Sequence, residues 1–68
     1  MIQASHNGTE IEMEMHQQAQ GHWKCDYTLI KHPERSMTIE HVAKEFPTFD
    51  LAREHALETA RAAIDRVN

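Results

Sequence analysis

The sequence predicts an α+β domain, a three-stranded antiparallel meander with one C-terminal helix packed on one face, in the order β-β-β-α. Three observations carry that expectation. Apolar residues recur at every second position over residues 10–16 and again over 22–31, a glycine ends the polar stretch between them, and from position 49 onward apolar residues recur at three- and four-residue spacing. A period of two marks a half-buried strand, and a period near 3.6 marks an amphipathic helix.

Residues 1–8 are polar and close on Asn7-Gly8. They read as a short flexible lead with no element of its own, followed by a single α+β domain over residues 9–68. In the first alternating stretch Ile11, Met13 and Met15 share one face and Glu10, Glu12 and Glu14 the other; in the second, Trp23, Cys25, Tyr27 and Leu29 oppose Lys24, Asp26 and Thr28. The linking Gln18-Ala19-Gln20-Gly21 suits a hairpin loop whose last residue takes the left-handed conformation. Closing that loop between Gln18 and His22 sets Met15 opposite Cys25, Met13 opposite Tyr27 and Ile11 opposite Leu29, so both apolar sets reach the same face. The same register sets Glu14 opposite Asp26, a like-charge pair that is unfavourable unless Lys24 or His16 relieves it.

His32-Pro33-Glu34-Arg35 reads as a turn, with proline preset for its second position. A third strand is expected over residues 36–46. Met37, Ile39 and Val42 do not keep one parity there, so either His41 turns inward between Ile39 and Ala43 or a bulge brings Val42 round. Met13, Met15 and Met37 are expected as adaptable core fillers. After Phe46-Pro47, Thr48 is a good helix N-cap, and Asp50 complements the dipole in the first turn. The helix is expected over about residues 49–66. Phe49, Ala52, Ala56, Leu57, Ala60, Ala63, Ile64 and Val67 form its apolar stripe, with Asp50, Glu54, Glu58, Arg61 and Asp65 largely opposite. Alanines in the stripe let the helix approach the sheet closely and leave bulk to Trp23, Tyr27 and the methionines.

The chain has 68 residues, 40% of them hydrophobic, which is enough for one modest core and excludes a second. A core of that size rarely gives more than roughly 3–5 kcal/mol of net stability, and a single cysteine offers no internal disulfide. Self-association, a metal or tight packing are the remaining sources of support. The formal net charge of −4 has the wrong sign for nonspecific attraction to phosphate backbones, while six histidines make the surface charge sensitive to pH. No apolar run approaches the roughly 18–20 residues that span a bilayer, and the first residues lack a signal-peptide pattern, so a cytoplasmic protein with no membrane association is expected. The lone Cys25 agrees with a reducing compartment.

In the C-terminal half, Phe46, Thr48, Ala52, Ala56, Leu57, Ala60, Ile64 and Asp65 resemble a pattern of small bacterial proteins. Among these are uncharacterised three-strand-plus-helix families and the partial fold of HicB-like antitoxins. The resemblance covers about residues 9–66 and implies a β-β-β-α domain that binds a small toxin nuclease and carries a separate DNA-binding segment. Pro47 stands where such proteins commonly place glycine before the capping threonine, and the stretch after Arg66 is expected to supply no DNA-binding helix pair or ribbon.

The side chains with chemistry to offer are scattered. There is no His-x-His, no pair of histidines at four-residue helical spacing, and His22 and Cys25 fall on opposite faces of one strand, so no metal or other cofactor is expected. Cys25 on an apolar inward face is expected to be a poor nucleophile. Glu10, Glu12 and Glu14 read as a charged row that discourages edge-to-edge aggregation. With no glycine-rich phosphate loop, no Gly-x-Ser-x-Gly elbow and little concavity in a sheet covered by one helix, no enzymatic activity is expected. The sheet face turned away from the helix, carrying Lys24, Thr28, Ile30 and, on one parity of the third strand, Val42, is expected to meet a protein partner or a second copy of the chain, directly or through an edge strand. The alternative is a small nucleic-acid-binding domain using Lys24, Lys31, Arg35 and Lys44, with Trp23 and Tyr27 turned inward and so withheld from base stacking.

Overall fold

The structure, a computed structural model, describes residues 1–32, 34 and 36–67. Among these residues four strands run β1 (Ile2–His6), β2 (Thr9–Gln17), β3 (Trp23–Lys31) and β4 (Ser36–Glu40), with a single 3-10 turn at Ala19–Gly21 between β2 and β3, and one α-helix follows, α1 (Phe49–Val67). They form an antiparallel meander in the order β1-β2-β3-β4 with α1 lying chiefly over β2 and β3. The α+β class and the single C-terminal helix match the sequence expectation, but the sheet has four strands where three were expected.

The additional strand lies in the stretch read as a lead without structure. Ile2 pairs with Met13, Ala4 with Ile11 and His6 with Thr9. The connection is the two-residue Asn7-Gly8, with φ of 51° and 80°. Positive φ at both central positions is what a tight hairpin turn of matching twist requires, and Asn-Gly is the pair that meets it most readily. A Cβ at Gly8 would meet nothing within 4 Å, so any penalty there comes from the backbone. Gly8→Ala should therefore lower stability by about 1–2 kcal/mol, read as a reduced denaturant midpoint with an unchanged slope.

Between β2 and β3 the expected register is found residue for residue, including Met15 with Cys25, Met13 with Tyr27 and Glu14 with Asp26. The Gln18 N–H donates to the His22 carbonyl at 2.6 Å, and both Gln20 and Gly21 have positive φ. Beneath α1, Ile11, Met13, Cys25 and Tyr27 meet Ala52, Ala56, Ala60 and Ile64, all buried. Three alanines at four-residue intervals bring the helix axis close to the sheet. Trp23 packs at the margin of this core with its ring edge-on to Phe49, centroids 5.2 Å apart. Thr48 caps the helix as expected, its Oγ1 accepting the Leu51 N–H at 3.1 Å.

The last strand is shorter than expected and faces the other way. Tyr27 pairs with Glu40, Thr28 with Ile39, Leu29 with Thr38 and Ile30 with Met37, which puts Met37 and Ile39 on the face away from the helix. They are 59% and 61% exposed, so Met37 is not a core filler. The ladder breaks after Glu40 and resumes at an isolated bridge between Trp23 and Phe46. Between these points Lys24, Cys25 and Asp26 on β3 face five residues, 41–45, on the returning chain. Neither arrangement the sequence leaves open is the one found, because both turn Ile39 inward: Val42 keeps the helix-side parity of Thr38 and Glu40 and packs against the core instead of joining the open face, while His41 stays exposed. In the turn before β4, Pro33 and Arg35 lie outside the described residues.

Candidate interaction surface

Strand parity divides the sheet into a covered and an open face. The open face carries Gln3 and Ser5 from β1, Glu10, Glu12, Glu14 and His16 from β2, Lys24, Asp26, Thr28 and Ile30 from β3, and Met37 and Ile39 from β4. Ile30 lies between Glu10 and Met37 in the cross-strand row and is only 7% exposed although no helix covers it. Its neighbours shield it, and the apolar surface that remains is offered by Met37 and Ile39. A depression of about 90 Å³ lies beside them, with Glu12, Glu14, Asp26, Thr28, Ile39 and His41 among its lining residues.

Asp26 organises the centre of this face. Its Oδ2 lies 3.3 Å from His16 Nε2 and 3.2 Å from His41 Nδ1, and its Oδ1 accepts the Val42 N–H at 3.1 Å. A bulge leaves ladder groups of the returning strand without backbone partners, and the carboxylate supplies one of the missing acceptors. His16 thus gives the relief that the Glu14–Asp26 pairing requires, joined by His41. Burial pushes the Asp26 carboxyl upward, but the hydrogen bonds from His41 and Val42 and the charges of His41 and His16 outweigh it, leaving the pKa below the usual aspartate value.

The other histidines also meet acids or rings. His6 lies 2.8 Å from Asp65, His32 3.2 Å from Glu10 and His22 3.6 Å from Glu45, while the His55 ring lies tilted against Phe46. Among the described residues no group of three His, Cys, Asp or Glu side chains is arranged to hold a metal ion. On the covered face Cys25 is separated by the sheet from His16 and His41. Burial first, then the Asp26 charge, push its thiol up to about 11, so it stays protonated and unreactive at neutral pH.

The expected interaction residues divide between the two faces. Lys24, Thr28 and Ile30 are on the open face, with Lys24 opposite His16 in the β2–β3 ladder. Lys31, seven positions from Lys24, has the opposite parity and pairs with Thr9 and Ser36. Lys44 belongs to the bulge, with Nζ 5.3 Å from the Phe46 ring centroid. Lys24, Lys31 and Lys44 therefore do not assemble into one basic patch. Sequence reasoning passed over Met37 and Ile39, whose parity match to Ile30 and Thr28 was hidden until the β3–β4 register was known.

On the covered side, α1 stops short of β4. A groove of about 350 Å³ runs between them, lined by Leu29, Thr38, Glu40, Ala63 and Arg66. All five residues of β4 are exposed. The strand thus has a free ladder edge, an apolar pair on one face and an open groove on the other.

No family model matches this chain, and no curated protein or solved structure matches it. The HicB-like resemblance thus gains no support from these comparisons. No helix among the described residues is long and apolar enough to cross a membrane.

Proposed function

We propose that this chain is a non-catalytic protein-interaction module that engages a partner protein, or a second copy of itself, through the open sheet face and the β4 edge. The observation that carries this reading is the exposure of Met37 and Ile39 on a strand that is both uncovered and unpaired on its outer side. Adjacent exposed apolar side chains beside a free row of backbone donors and acceptors suit strand addition. The buried, protonated Cys25 fits a structural role. The nucleic-acid alternative is less favoured: Glu10, Glu12 and Glu14 share the open face with Lys24, and Trp23 and Tyr27 face α1.

The test compares wild type with Met37→Lys/Ile39→Lys as baits in affinity capture, both shown to be folded by circular dichroism. A specific protein retained by wild type and lost by the double variant is the expected result. A bait whose captured proteins are the same with or without the two apolar residues contradicts the reading. RNA or DNA retained in a salt-sensitive manner and lost on Lys24→Glu would favour the alternative.

A further inference from the structure

We infer that the occupant of the β4 edge is a second copy of this chain, paired antiparallel across a two-fold axis at Thr38 so that two four-stranded sheets become one of eight. This rests on the interaction-module reading above and makes it specific.

A two-fold axis perpendicular to the sheet sets residues of equal parity opposite one another, and only the register centred on Thr38 pairs all five residues of β4. In that register Met37 lies opposite the second copy's Ile39, Thr38 opposite Thr38, and Ser36 opposite Glu40. The cross-strand rows then extend through each copy's own ladder. On the open face Ile30, Met37 and the second copy's Ile39 form one unbroken apolar row, repeated by symmetry. The two most exposed apolar side chains of β4 thereby cover each other. On the helix side the row runs Lys31, Ser36 and the second copy's Glu40. Lysine and glutamate stand two strand spacings apart, about 10 Å at the backbone, and both lean over a serine too small to separate them. No like charges meet directly across the axis.

The opposite edge of the sheet fails the same test. Centring a two-fold on Ala4 of β1 sets Gln3 opposite Ser5, and their ladder partners Glu12 and Glu10 then end the row with carboxylates on both sides. That arrangement joins no exposed apolar pair and offers no opposite charge across the seam. In β4, by contrast, neither proline nor lysine interrupts Ser36–Glu40, and α1 leaves the strand uncovered.

The contact is small by the standards of permanent dimers, so the dissociation constant should be micromolar, with single chains dominant at about 1 μM and pairs at about 500 μM in sedimentation velocity. Thr38→Lys and Thr38→Glu each place like charges at the axis and should weaken pairing about tenfold or more. An equimolar mixture of the two should restore it. Thr38→Cys should give a disulfide-linked dimer under mild oxidation, because the two positions face each other, whereas Ile39→Cys alone should not.

Two outcomes overturn the inference: a wild-type chain that stays single up to about 1 mM, well above a micromolar constant, or a dimer that neither Thr38 charge variant weakens. In the first case capture of a partner that depends on Met37 and Ile39 still upholds the broader reading. Loss of that dependence removes the broader reading as well.

Discussion

Ile11→Ala is expected to leave the chain largely unfolded at room temperature. Ile11 is fully buried, pairs with Ala4 on one side and Leu29 on the other, and lies in the core beneath α1. Removing its outer carbons loses transfer free energy and leaves a cavity that three small alanines overhead cannot fill, for a loss of about 2–5 kcal/mol. A single core of this size supplies roughly 3–5 kcal/mol in total, so the substitution consumes most or all of it. Far-UV circular dichroism with thermal unfolding checks this. Ile39→Ala is the contrast, an exposed aliphatic position where the change should stay within about 0.5 kcal/mol. A cooperative transition in Ile11→Ala within a few degrees of wild type would show that the core is assembled differently.

Asp26→Ala should have the second largest effect, a loss of about 1–3 kcal/mol at neutral pH. The substitution removes the acceptor of the Val42 N–H and the carboxylate between His16 and His41, and so frees the segment that carries Val42 to the core. The pH dependence follows from the direction of the Asp26 shift. Its folded pKa lies below the ordinary aspartate value of 3.8, so the folded state binds this proton less readily than the unfolded chain. Its stabilising contribution is whole above that ordinary value and is lost as pH falls through the lower folded value. The gap between wild type and Asp26→Ala should therefore narrow as pH falls below the ordinary aspartate value, as read from urea midpoints at a series of pH values. A gap independent of pH would mean that the carboxylate acts through its shape alone.

Much of this architecture is legible in the residue order. The β2–β3 register follows from a three-residue loop ending in glycine, closed between Gln18 and His22, in agreement with two apolar sets that share a face in that register, and the helix follows from its cap and its stripe. What escaped has physical causes. β1 has only Ile2 and Ala4 to mark its inner face, too few to show a period, and the Asn7-Gly8 pair, the one signal that could have found it, was read as the close of a lead rather than as a hairpin turn. Met37 and Ile39 misled because they are apolar yet lie on a strand beyond the reach of α1, so their side of the sheet could not be inferred from hydrophobicity. The division of the lysines was readable from numbering alone, since Lys24 and Lys31 are an odd number of positions apart and strands alternate.

The two surplus residues opposite Lys24–Asp26 also limit what the sheet can become. Without them the ladder would run unbroken from Ser36 to Phe46, presenting a long straight margin of the kind that recruits chain after chain into fibrils. By bending the returning segment away after Glu40 and tethering it to a carboxylate, the fold keeps the adhesive stretch to five residues. A strand docked there runs out of backbone to follow, and assembly is confined to a short, finite contact.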